Sequence, residues 1–146
     1  MSIVNKIKSS VEAASGLTCY YHSDGELDRL FDTAPLPCAF FALIAEAEVV
    51  NATSQLRERA EVAVFFCDKT DFDFGSIENE SIISEQRANA FRWVNAINGS
   101  DISLDGDLRS ERIYDRFDCN VTGYGIICTL SENVGESKCK NNNNNK

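Results

Sequence analysis

An α+β domain, a mainly antiparallel sheet of four or more strands with helices packed on it, is the fold class the sequence predicts. Three observations predict it. Two strand signals, Pro37–Val50 and Gln55–Asp68, are separated only by a short polar connection. A well-specified helical pattern follows them, and a second strand pair, Ile113–Phe117 and Val121–Leu130, comes after it. The order is therefore helix, strand hairpin, helix, strand pair, with periodicity switching between helical and alternating in blocks.

Composition is compatible with this. The 146 residues are 43% hydrophobic and 10% aromatic, enough for one sizeable core and too apolar for a disordered chain. The formal net charge is −9, from 23 Asp plus Glu against 14 Lys plus Arg. That balance lacks the electrostatic footprint of a protein that grips DNA or an anionic membrane. No apolar segment follows the lysines of the first eight residues, and the longest apolar run, Cys38–Ala45, is too short to cross a bilayer. A soluble intracellular origin is the expectation.

Each element has its own signal. Ser2 caps a first helix in which Ile3, Val4, Ile7 and Val11 recur at helical spacing and which Gly16 ends. Leu17–His22 reads as a short extended segment. Ser23 and Glu26 form a capping box for a short helix carrying Leu27, Leu30 and Phe31, halted by Pro35 and Pro37. From Pro37 to Val50 both alternating sets are apolar over the first half, as in a strand covered on two faces. In the next strand Ala60, Val62, Val64 and Phe66 form the inward set, while Arg57, Arg59 and Glu61 point outward. The short connection at Asn51–Ser54 makes an antiparallel hairpin the natural pairing.

Ser76 is the predicted cap of the longest helix, with Ile83, Ala90, Val94 and Ile97 on one stripe, Phe91 beside it, and Asn98-Gly99 as its stop. Ile102–Leu108 is ambiguous, with Asp105-Gly106 a hairpin turn. In the last strand Tyr124, Ile126, Cys128 and Leu130 share a face, and Gly123 and Gly125 opposite them signal a bulge or a close backbone approach. The single domain is expected over residues 1–132, with a polar, asparagine-rich and disordered tail at 133–146.

Chemistry-bearing constellations are sparse. The six cysteines include no CxxC pair, and several sit inside strand patterns as small hydrophobes, so reduced packing cysteines are expected. His22 is the one histidine and has no companion nucleophile motif. Asp68, Asp71 and Asp73 form an acidic loop, but the sixth and twelfth positions counted from Asp68 are Asp73 and Asn79, which fails the calcium-loop pattern. Asp101, Asp105 and Asp107 read as turn chemistry. Gly123-Tyr124-Gly125 has neither the helix nor the lysine of a phosphate loop. Arg87, Arg92, Arg109, Arg112 and Arg116, interleaved with acids, read as an ion-paired surface. No catalytic, cofactor or metal site is predicted.

Three segments carry a resemblance. Arg57–Phe66, Phe72–Phe74, and Tyr114–Asp118 with Val121–Gly123 are similar to those of prophage tail proteins, and the element order over residues 1–132 resembles the tail-terminator and tail-completion proteins of long-tailed phages. The resemblance implies a virion protein, assembled in the host cytoplasm as a ring, usually a hexamer. Such a ring stops tail-tube polymerisation and joins tail to head, without catalysis or cofactor. Its implied partners are its own copies, the tail-tube protein and head–tail connector proteins. DNA would pass an acidic lumen unbound, repelled by its phosphates. By position, Arg57, Arg59 and Glu61 with Asp68, Asp71 and Asp73 are the expected interface. The alternative is a bacterial or prophage α+β adaptor that binds a protein or small ligand without catalysis. An enzyme built on His22 or an acidic cluster is a third reading.

Overall fold

The computed structural model describes residues 2–21, 35–45, 48–52, 55–70, 76–97, 100–116 and 120–134. His22, the capping box at Ser23, Asp71, Asp73, Cys119, Cys139, the Asn98-Gly99 stop and the asparagine-rich tail lie outside the described residues.

Helix α1 (Ile3–Ser15) begins where Ser2 accepts a hydrogen bond from the Asn5 backbone, and it ends at Gly16, whose φ of 74° is left-handed. Strands β1 (Cys19–Tyr21), β2 (Cys38–Leu43), β3 (Glu48–Ala52) and β4 (Gln55–Lys69) follow. Helix α2 (Ser76–Ile97) then precedes β5 (Ser103–Leu104), β6 (Arg109–Arg116) and β7 (Val121–Asn133). The seven strands form one sheet in the order β1-β2-β4-β7-β5, with β3 also on β4 and β6 also on β7. Every pairing is antiparallel except β1 with β2.

The long strand signal from Pro37 to Val50 resolves into two strands on one edge of β4. Strand β2 faces Val62–Cys67 and β3 faces Gln55–Arg59. The break falls where the doubly apolar run gives way to alanines and glutamates, which cannot be covered on both faces. The Leu36–Pro37 peptide is cis.

Both helices cover one face of the sheet. The core there joins Ile3, Ile7 and Val11 of α1 to Ile83, Ala90, Trp93 and Ile97 of α2. Beneath them lie the even-numbered residues of β4 (Ala60, Val62, Val64, Phe66) and of β7 (Tyr124, Ile126, Cys128, Leu130). Trp93 is fully buried and donates its indole N–H to Ser10 Oγ at 2.9 Å, which pins α2 to α1. The sequence reading passed over Trp93 because buried polar residues, Asn79, Gln86 and Asn89, interrupt the apolar stripe beside it. Ser76 lies within the helix where the sequence suggested its cap.

An ion pair between Lys6 and Glu132 ties α1 to the end of β7. The hydrogen bond to Glu132 holds the Lys6 ammonium above its ordinary pKa of 10.5. Its stabilisation is therefore complete below that value and is lost as pH rises through the higher folded one. The Glu132 side chain is 7% exposed and that of Lys6 27%, so the two truncations are unequal. Lys6→Met strands a buried carboxylate and is expected to cost about 2–3 kcal/mol. Glu132→Gln leaves an ammonium that can turn to water and is expected to cost about 1 kcal/mol. Urea titrations of both variants check the order, and equal losses would refute it.

Candidate functional site

The odd-numbered residues of β4 and β7 point to the face that the two helices leave open. That face has two halves. Toward Lys69 it is apolar, with Cys38, Phe40, Cys67, Ile113 and Val121 buried and Phe65 half-buried against them. The Phe40 and Phe65 rings stack with centroids 4.9 Å apart. Toward Arg57 it is charged, and this half holds the outward set that alternation indicates.

Arg57, Arg59 and Glu61 are three successive side chains on the same face of one strand, and each is held differently. Arg57 is half-buried and donates from Nη2 to Ser103 Oγ at 2.9 Å and to Ser131 Oγ at 2.8 Å. Its guanidinium thus bridges β4, β7 and β5. Arg59 Nε stands 3.0 Å from Asp105 Oδ2, both side chains being about two-fifths exposed. Glu61 is exposed, and its backbone carbonyl accepts from Ile44 N–H at 2.8 Å. Among the described residues neither Glu61 nor the exposed Glu48 has an ion-pair partner.

Two shallow cavities meet at Glu61. One, of about 180 Å³, is lined by Ala45, Glu48, Arg59, Glu61 and Thr129. The other, of about 290 Å³, is lined by Glu61, Asp107, Leu108, Arg109, Ile127, Cys128 and Thr129. Together they make a furrow lined by two arginines, Arg59 and Arg109, and three carboxylates, Glu48, Glu61 and Asp107. A furrow of this kind can exchange intramolecular ion pairs for intermolecular ones, and its value in specificity exceeds its value in affinity.

Asp68 lies apart from this group. It is half-buried at the far end of β4, on the other parity of the strand, and its Oδ1 accepts the Lys69 N–H at 2.8 Å. From Glu61 it is seven strand positions away, roughly 23 Å. The structure therefore groups Arg57, Arg59 and Glu61 and separates Asp68 from them. Glu48 and Thr129 complete the furrow and Ser131 holds Arg57, and none of the three was singled out by the sequence reading; period-two alternation along β7 is the signal that would have placed Thr129 and Ser131. Asp105 was read as a turn residue, and the Asp105-Gly106 turn, with Gly106 at φ 82°, is what brings its carboxylate to Arg59.

Of the arginines read as an ion-paired surface, Arg112 pairs with Glu80 of α2, Arg92 donates to Asn89 Oδ1 at 2.6 Å, and Arg87 lies 4.4 Å over the Phe91 ring.

The four described cysteines are all free and buried. Burial pushes the thiols of Cys19 and Cys128 up to about 12, that of Cys38 up to about 11, and that of Cys67 well above its ordinary 9.0. These are protonated packing groups, the reverse of an activated nucleophile. Among the described residues no three histidine, cysteine or carboxylate side chains are grouped to hold a metal ion. No described helix is long and apolar enough to cross a membrane.

No family model matches the chain, and no curated protein matches it. Among solved structures, it is similar to a chain of one described as "Virion of native gene transfer agent (GTA) particle", at 13% identity and a TM-score of 0.43, over 86% of this chain and 84% of that one.

Proposed function

We propose that the chain is a structural virion protein of the tail-terminator or tail-completion kind. It assembles as a ring, a hexamer by the family resemblance, at the end of the tail tube and joins the tail to the head. Its partners are its own copies, the tail-tube protein and head–tail connector proteins. DNA passes through the ring without specific binding, and the ring forms in the host cytoplasm before becoming part of the virion. No cofactor and no catalytic step are involved.

The observation that carries this reading is the open, charged half of the sheet face. Arg57, Arg59 and Glu61 lie on the strand segment that resembles prophage tail proteins, and Arg59 and Glu61 line a furrow rather than an enclosed pocket. The sheet supports it too, because β1, β3, β5 and β6 each have a pairing partner on one side only among the described residues. Such a protomer has the free surfaces that head-to-tail association needs. The acidic loop residues Asp71 and Asp73 remain part of the proposed interface together with Asp68.

Light scattering across a wide concentration range, with electron microscopy of the same samples, tests the reading. A discrete ring-shaped species is expected, and addition of the ring to polymerising tail-tube protein is expected to cap it. A chain that stays monomeric and leaves tube length unchanged sinks the proposal. Glu61→Arg probes the furrow itself, since Glu61 is exposed and bears no ion pair among the described residues. It is expected to weaken capping of the tail tube roughly tenfold with the fold intact, on the scale of one charge pair reversed across an interface. Arg57 is the poorer probe, because its bonds to Ser103 and Ser131 make its loss a change in the sheet.

A further inference from the structure

Strand β4 is fifteen residues long, so its two ends lie roughly 45–50 Å apart. Exposed apolar side chains occur at both ends, on the helix-bearing side of the sheet. At the hairpin end, Val49 is 57% exposed and Leu56 41% exposed. They share a face, since Val49 is opposite Glu58, two residues along β4 from Leu56. At the other end, Ile77 in the first turn of α2 is 77% exposed, and Tyr114 of β6 is 46% exposed. Ile77 forms one wall of a groove of about 400 Å³ with Glu80, Ser81, Ser84, Arg87 and Arg112. Asn79 donates to the Tyr114 hydroxyl at 3.3 Å, and Arg112 is bound to Glu80, so α2 and β6 frame this groove firmly.

The charges at the two ends are of opposite character. The hairpin patch is bordered by the half-buried Glu58, which lies opposite Val49, and the neighbouring Lys6 is taken up by Glu132. In the groove Arg112 is taken up by Glu80, which leaves the Arg87 guanidinium as the charge of its lining that no described carboxylate pairs. A tip-to-tip contact would oppose glutamate with glutamate, and a groove-to-groove contact would oppose arginine with arginine. Only tip-to-groove contact sets apolar surface on apolar surface with opposite charges around it.

We propose that the sheet face carrying Val49 and Leu56 of one copy seats in the groove between Ile77 and Arg112 of a second copy. The contact is heterologous, and repeated around an axis it closes a ring. This rests on the ring reading and specifies the subunit joint within it. The joint is separate from the charged furrow on the opposite face of the sheet, which is left for other neighbours.

Two variants test the joint, Val49→Asp and Ile77→Asp. Both positions are exposed, so far-UV circular dichroism and Tm are expected to match those of the wild type, and Leu56→Asp serves as a second tip variant. Sedimentation velocity is run from micromolar to about 1 mM, the range in which weak self-association registers. Each variant alone is expected to fall to the mass of one protomer. A one-to-one mixture is expected to give a species of two protomers and nothing larger, because one intact groove and one intact tip remain to meet. An Ile77→Asp chain that assembles like the wild type, or a mixture that stays at one protomer, overturns the joint. A wild-type ring that survives in both variants overturns this joint alone and leaves the ring reading standing. A wild-type chain that is monomeric throughout also overturns it, and the ring reading is then judged separately by capping of the tail tube.

Discussion

Gly123→Ala is expected to cost about 3–4 kcal/mol of folding free energy, far more than Gly125→Ala at about 1 kcal/mol. The two glycines lie two residues apart on β7, on the same helix-free face, yet a methyl group would meet different things. At Gly123 a Cβ would come 1.9 Å from the Phe66 carbonyl oxygen and 2.9 Å from the Cys67 Cα. Both are backbone atoms of β4, so relief requires the two central strands to part. At Gly125 the obstacle is the Phe65 ring, 2.6 Å from the added carbon. A ring can rotate, and the alanine recovers part of the entropy that a strand glycine loses on folding. Urea titrations at a constant m-value would measure both losses. A Gly123→Ala chain no less stable than Gly125→Ala would overturn the account of how closely β4 and β7 approach.

Alkaline unfolding is the second large expected effect. The unfolded thiols ionise near their ordinary 9.0, whereas burial raises Cys19 and Cys128 to about 12, Cys38 to about 11 and Cys67 well above 9.0. Above pH 9 the unfolded chain therefore releases protons that the folded chain retains, and stability falls as pH rises. Each thiol contributes about 1.4 kcal/mol per pH unit inside its window, and four acting together give a slope of roughly 5 kcal/mol per unit near pH 10. Against a total stability of about 5–15 kcal/mol for a domain of this size, cooperative unfolding is expected at about pH 10–11. Lys6, held above 10.5, steepens the fall at the upper end. Cys128→Val, which keeps the buried volume, is expected to remove about a quarter of the slope. Urea midpoints measured at intervals from pH 8 to 11 give the slope directly, and a flat profile would contradict the thiol linkage.

Much of this fold was legible in the sequence because its strands alternate cleanly. Ala60, Val62, Val64 and Phe66, and the matching set from Tyr124 to Leu130, were assigned to the core face by period two alone, and the structure buries them under the helices. The glycine pair on β7 was readable as a close approach for the same reason. What escaped was set by non-local partners. Nothing local in Cys19–Tyr21 indicates a strand that pairs parallel to β2, since that contact depends on the chain returning at Cys38. Trp93 was hidden by the polar residues at Asn79, Gln86 and Asn89, whose hydrogen bonds are visible only once α2 has neighbours. The candidate site was half legible: alternation put Arg57, Arg59 and Glu61 on one face. Which of them is committed to the sheet depends on Ser103, Asp105 and Ser131, brought in from elsewhere in the chain.

The pairing of β4 with β7 has a mechanical consequence. The two strands run antiparallel in unbroken register over thirteen residue pairs, from Arg57 opposite Asn133 to Lys69 opposite Val121. The hairpin tip and the Ile77 groove lie at opposite ends of that ladder. A tensile load passed from one to the other therefore runs along the strands and shears the ladder instead of peeling it open one bond at a time. Rupture then requires many hydrogen bonds to fail together, so resistance to force is governed by a slow unfolding rate rather than by equilibrium stability. A protomer joined at those two points would behave as a stiff tie under hoop stress, with β4 and β7 as its load-bearing fibres.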